Sequence, residues 1–97
     1  MIDKLYLNKV KKILSRRLDF KKYKIFVFGS RAEATARKFS DVDIGIEGKE
    51  SLPAKIKIEL EEDLEDSDIP YTVDLVDFTK VSEKFKTIAK KSIKLLK

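Results

Sequence analysis

The chain contains no cysteine and no histidine. Neither a disulfide framework nor a thiolate or imidazole metal site can form, so any bound metal must rest on oxygen ligands. That points to hard cations such as magnesium. Glutamine is absent and asparagine occurs once among many lysines and glutamates, a profile associated with heat-adapted proteins. No apolar run approaches the length that crosses a bilayer, and the opening MIDKLYLNKVKK carries charge too early and too often for a secretory leader. The expectation is a cytoplasmic protein with no membrane association.

With 97 residues, the sequence has room for one modest core, and a single domain over 1–97 is expected. Its composition, 42% hydrophobic and 40% charged, is that of a globular chain with a heavily charged surface rather than a disordered one. The net charge of +5 is concentrated near the C-terminus, where Lys80 to Lys97 holds seven lysines against one glutamate. Such a run is most simply a solvated helix face, and alternatively a contact for phosphate-bearing partners.

The hydrophobic pattern predicts alternating helices and strands. Leu7, Val10, Leu14 and Leu18 recur at three- and four-residue steps, the stripe of an amphipathic helix over Asp3 to Leu18. YKIFVF, Tyr23 to Phe28, reads as a mostly buried strand stopped by Gly29. A short helix is expected over Arg31 to Arg37, just after Ser30. Asp41 to Ile46 alternates as a second strand, and a helix with Ser51 as N-cap and Pro53 in its first turn is expected through about Asp66. The last turn of that helix is acidic, which opposes the helix dipole and has no local explanation. After Ile69-Pro70, Tyr71 to Asp77 alternates as a third strand. Val81 to about Lys91 gives a last helix with Val81, Phe85 and Ile88 inward, and Ile93 to Leu96 extends it or forms a short edge strand. The fold class is therefore α/β (α+β), a small mixed sheet of three to four strands flanked by helices.

Two features do not suit an ordinary core. Asp41 and Asp43 share one face of the second strand, opposite Val42, Ile44 and Ile46, and Asp74 sits in the middle of the third. An unpaired ionised carboxylate in a core costs several kcal/mol (about 3 or more), whereas on a solvated sheet face it is harmless. If the three converge, their mutual repulsion is relieved by divalent cations, and magnesium with a few carboxylates, water and substrate phosphates fits that need. The second feature is the turn Gly29-Ser30 at a strand end. Its glycine allows close approach of backbone to a ligand, and free N–H groups with the Ser30 hydroxyl form an anion site, to which Arg31 adds a cation; alone, it is also simply a helix cap.

Gly29-Ser30, Asp41-Val42-Asp43 and Asp74 within Val73-Asp74-Leu75-Val76-Asp77 together resemble the polymerase-β-like nucleotidyltransferase superfamily, specifically its minimal nucleotidyltransferase (MNT) group. The resemblance covers roughly Leu14 to Leu96. It implies that Asp41, Asp43 and Asp74 are catalytic and coordinate two magnesium ions, with Asp74 helping to activate the acceptor hydroxyl. By the same resemblance Gly29, Ser30 and Arg31 hold a nucleoside triphosphate, ATP. Ala34 stands where close relatives carry a second glycine, a departure that bears on how the substrate approaches. Asp77 points to the opposite strand face from Asp74, so parity excludes it as the third carboxylate.

Larger members of the superfamily bind their acceptor with extra domains, so the resemblance implies a partner. Relatives of this size pair with a HEPN-domain toxin and act as its antitoxin, some by transferring AMP onto a tyrosine of that partner. Two other readings are a module that neutralises the partner by contact alone, and a protein acting on or binding RNA through Lys80 to Lys97. Phe85 is the one aromatic near those lysines, and core packing accounts for it more simply than base stacking.

Overall fold

The computed structural model describes residues 4–29 and 42–96. Its order is α1 (Lys4–Ser15), β1 (Lys24–Phe28), β2 (Val42–Glu47), α2 (Ala54–Glu65), β3 (Val73–Asp77), α3 (Glu83–Ala89) and β4 (Lys94–Leu95). The four strands form one mixed sheet in the order β3-β2-β1-β4. β1 runs antiparallel to both β2 and β4, and β2 runs parallel to β3, with α2 as the crossover between them. The expected helix over Arg31 to Arg37 lies outside the described residues.

The alternation of side chains divides the core in two. Ile25, Val27, Val42, Ile44, Ile46 and Leu75 face α1 and α2, meeting Leu7, Val10, Ile13 and Leu14 from the first helix and Leu60 and Leu64 from the second. Each such side chain contributes about 1.5–3 kcal/mol on burial, which is why the Leu7–Leu18 stripe settles α1 against the sheet. The opposite face carries a smaller aromatic cluster of Phe26, Phe28 and Phe78, with Val76, Val81, Ala89 and Ile93 packed against it. Phe78 meets Phe26 and Phe28 edge-on, with centroids 4.8 and 5.1 Å apart.

The helix ends differ in part from expectation. Ser51 does not cap α2: the N-cap is Pro53, which has no capping side chain. The Ser51 hydroxyl instead lies 3.1 Å from that of Thr79, so the loop before α2 is tied to the end of β3. α3 is shorter than the pattern suggests, opening where the Phe85 N–H donates to the Ser82 hydroxyl at 3.1 Å. Ile88 faces outward, 59% exposed, and Phe85 is half-exposed while its ring still contacts Phe28 and Phe78. The Lys80–Lys97 run is partly committed to structure, since Lys86 and Lys90 both reach Glu47 at the end of β2.

The acidic end of α2 has a tertiary explanation on one side. Arg17, just past α1, donates to Asp63 and Glu59, and Lys9 of α1 pairs with Asp68. The hydrogen bond from Arg17 holds the Asp63 carboxyl below the usual carboxylate range.

Asp77 closes β3 on the face away from Asp74 and is nearly buried. The backbone N–H of Leu52 donates to one of its oxygens at 2.8 Å, while the Thr79 N–H and hydroxyl donate to the other at 2.9 and 2.7 Å. Burial pushes the pKa of this carboxyl up, but the three donors outweigh burial and hold it below its ordinary value. A depressed pKa stabilises the fold above the unfolded carboxyl pKa, and this contribution is lost as pH falls through the folded value. Asp77→Ala is expected to cost about 2 kcal/mol by stranding the buried Leu52 N–H and to flatten the acid limb of stability against pH; urea titrations at neutral and acidic pH measure both.

Candidate functional site

The site begins where β1 stops. Gly29 has φ 73°, a left-handed conformation that glycine adopts without strain. A β-carbon there would stand 2.7 Å from Oδ2 of Asp43. The glycine therefore serves a contact within the chain, letting the turn close over the carboxylate of the neighbouring strand. Gly29→Ala is expected to cost about 1–2 kcal/mol through backbone strain, and to displace the Asp43 carboxylate. Thermal unfolding reads the first effect, and metal-dependent nucleotide binding reads the second.

Sheet register sets the next contact. Phe28 is paired with Asp43 across the antiparallel ladder, and Asp43 with Asp74 across the parallel one. Three neighbouring strands thus put Phe28, Asp43 and Asp74 in one row, and residues directly opposite share a face. Adjacent strands lie about 4.8 Å apart, so the two carboxylates are immediate neighbours on the aromatic side of the sheet. Asp43 is half-buried and Asp74 exposed. Asp77 is paired with Ile46 on the other face and engaged by Leu52 and Thr79, so parity separates it from Asp74 as the sequence pattern predicts.

Ser30, Arg31, Ala34 and Asp41 lie outside the described residues. Among the described residues, no group of three or more carboxylate, histidine or cysteine side chains is gathered to hold a metal; Asp43 and Asp74 supply two. The donor set fits a hard cation. Two carboxylates side by side, in a chain with neither histidine nor cysteine, offer only oxygen and leave coordination positions for water and substrate.

Sequence reasoning missed how the floor of this site is built. Phe26 and Phe28 alternate on β1 and share the face of Asp43, and Phe85 reaches Phe28 edge-on with centroids 6.1 Å apart. The signal was present in the two phenylalanines spaced by two, read only as strand formers. It also missed a cavity of about 520 Å³ between the end of α2 and the start of β3, lined by Leu64, Ile69, Tyr71 and Val73 of the helix-side core together with Glu61, Glu65 and Asp74.

The family described as Polymerase beta, Nucleotidyltransferase matches residues 8–97, and the chain belongs to it. A Haemophilus influenzae protein named probable protein adenylyltransferase MntA is 39% identical over 69 residues, 71% of this chain. The chain spans 60% of that curated relative's length. Among solved structures, a toxin-antitoxin with AMP-PNP is 30% identical with a TM-score of 0.76, over 94% of this chain and 72% of that one. A tri-AMPylated Shewanella oneidensis HEPN toxin in complex with MNT antitoxin is 27% identical with a TM-score of 0.74, over 99% of this chain and 72% of that one. The four-stranded mixed sheet with its helices is thus the nucleotidyltransferase fold. Among the described residues no helix is long and apolar enough to cross a membrane.

Proposed function

We propose that the chain is a magnesium-dependent nucleotidyltransferase that moves AMP from ATP to a tyrosine hydroxyl of a HEPN-domain partner in the cytoplasm, and so acts as its antitoxin. The observation that carries this reading is the register that sets Asp43 beside Asp74 with Gly29 closed against Asp43. The likeness to toxin-antitoxin structures holding AMP-PNP or an AMPylated toxin supports the nucleotide and the partner.

In this reading the Gly29-Ser30 backbone, the Ser30 hydroxyl and Arg31 bind the triphosphate. Asp41, Asp43 and Asp74 would hold two magnesium ions, which supply neutralisation of phosphate charge and polarisation of the acceptor hydroxyl. The acceptor oxygen bonds to the α-phosphorus in line, and the bond from that phosphorus to the bridging oxygen breaks. Pyrophosphate leaves, and the hydroxyl proton passes through Asp74 to solvent. The phenylalanines beneath Asp43 keep that side of the row dry, which strengthens its electrostatics.

The test incubates the chain with a HEPN-domain partner, magnesium and ATP labelled in the α-phosphate. AMP on a partner tyrosine, lost with a chelator, is the expected result. Protection of cells from the toxin by a chain with alanine at both 41 and 43 would assign the antitoxin effect to contact alone and overturn the enzymatic reading.

A further inference from the structure

The end of the sheet away from Gly29 carries groups that the proposed transfer does not use. Phe20-Lys21-Lys22-Tyr23-Lys24 leads into β1 there, beside Gly48 and Lys49, which follow β2. Pairing of Lys24 with Glu47 across the antiparallel ladder brings the two segments together. We propose that this end of the molecule binds single-stranded RNA, with Lys21, Lys22, Lys24 and Lys49 on its phosphates and the Tyr23 ring under a base. The site is separate from the carboxylate row, because Lys24 stands roughly 16 Å from Gly29 at the usual rise along a strand.

Charge is the first support. Lys21, Lys22, Lys24 and Lys49 all line one hollow, and among the described residues none of them forms an ion pair. The acids close by are engaged elsewhere. Glu47 is taken by Lys86 and Lys90, and the Asp19 carboxylate accepts the backbone N–H of Lys21 at 2.9 Å. Glu50 remains, one carboxylate against four ammonium groups. Like charges gathered in this way repel one another, and a phosphodiester chain relieves that repulsion while releasing its own counterions.

Shape is the second. The Lys22 and Tyr23 N–H groups donate to the Asp19 carbonyl at 2.9 and 3.1 Å, which fixes the turn that presents the lysines. Tyr23 is half-buried, and its ring lies so close over Gly48 that a β-carbon there would stand 2.7 Å from Cδ1. Hollows of about 420 and 410 Å³ adjoin the ring, and Lys21, Lys22, Tyr23 and Lys49 line both. Stacking on such a ring requires a base that is free to turn onto it, which a single strand offers and a duplex does not. The elements here are a turn and a loop, with no helix to enter a major groove. Phe20 and Tyr23 also pack inward on the core, so neither projects as an anchor for a bilayer.

The test titrates the full chain with a short fluorescein-labelled oligouridylate, read by anisotropy at several salt concentrations. Three to four neutralised phosphates give an expected log–log salt slope of about −2 to −3. The Lys21→Gln, Lys22→Gln, Lys49→Gln triple variant should bind at least about tenfold more weakly and lose about 2 from that slope. Lys24, whose ammonium lies 6.0 Å from the Phe26 ring centroid, is left in place to spare the fold. Lys80→Gln, Lys84→Gln, Lys91→Gln removes the same charge from around α3 and should leave affinity within about twofold at physiological salt. Tyr23→Leu, which keeps an apolar side chain on the core, should weaken binding about fivefold with the slope unchanged. The lysine comparison decides the matter whatever Tyr23→Leu does to folding. Absence of RNA binding, equal losses in the two lysine triples, tighter binding to duplex DNA of equal length, or binding only to phosphatidylserine vesicles would each overturn the proposal. Asp43→Asn is expected to bind RNA as the wild type does, and a loss there would move the strand to the carboxylate row and sink the separate site. RNA binding by a chain that transfers no AMP would refute the proposed activity and leave this site standing.

Discussion

Alanine at position 45 is expected to destabilise the chain by about 3 kcal/mol, the upper end of ordinary overpacking, although it adds one methyl group. Gly45 lies in the middle of β2 and is paired with Phe26. A β-carbon there would stand 2.4 and 2.5 Å from two atoms of the Phe26 ring and 2.7 Å from the Phe78 ring. Neither ring can swing away as an exposed side chain would, because both are fully buried and packed against Phe28. The strand or the whole aromatic cluster has to move. A small domain has only about 5–15 kcal/mol of stability in all, and each kcal/mol shifts Tm by roughly 4–8 °C at this size. A fall of more than about 10 °C is therefore expected in thermal unfolding. Pairing the change with Phe26→Leu, which removes the nearest ring, should recover part of it. A single variant with wild-type Tm would show that the cluster repacks freely, contrary to this account.

This dependence illustrates where the sequence was readable and where it was not. The Leu7–Leu18 stripe, the alternation of β2 and the parity separating Asp74 from Asp77 are short-range periodicities, and the folded chain keeps all of them. The need for glycine at 45 comes from rings on β1 and after β3, contacts that no local pattern states. Glu59 and Asp63 on α2 likewise have no local reason, because the cation that answers them, Arg17, comes from just after α1, far away in sequence. Residue type alone suggests Ser51 as a cap, whereas the helix begins beyond Pro53 and the hydroxyl is taken up by Thr79. The helical period points Ile88 inward, but α3, from Glu83 to Ala89, is too short to bury it. For the candidate site, motif spacing announced the carboxylates, but only the parallel register of β2 and β3 sets Asp43 against Asp74.

Asp43→Asn should separate function from folding more cleanly than any other substitution in the chain. Asparagine preserves shape and volume, and it removes one of two like charges facing each other across adjacent strands, so stability should stay within about 1 kcal/mol of the wild type. In the proposed reaction AMP transfer should fall by about a thousandfold or more, because a neutral amide would not offset the charge of a divalent cation held at this position. Asp74→Asn is expected to fall similarly, and the double variant hardly further, since groups that act as one unit are grossly non-additive. A double variant whose loss equalled the product of the two single losses would mean independent roles, against a shared metal site. Single-turnover AMP transfer with thermal unfolding of the same three proteins resolves these outcomes: activity lost with Tm retained is the signature of carboxylates kept on a strand for chemistry at some expense in sheet propensity.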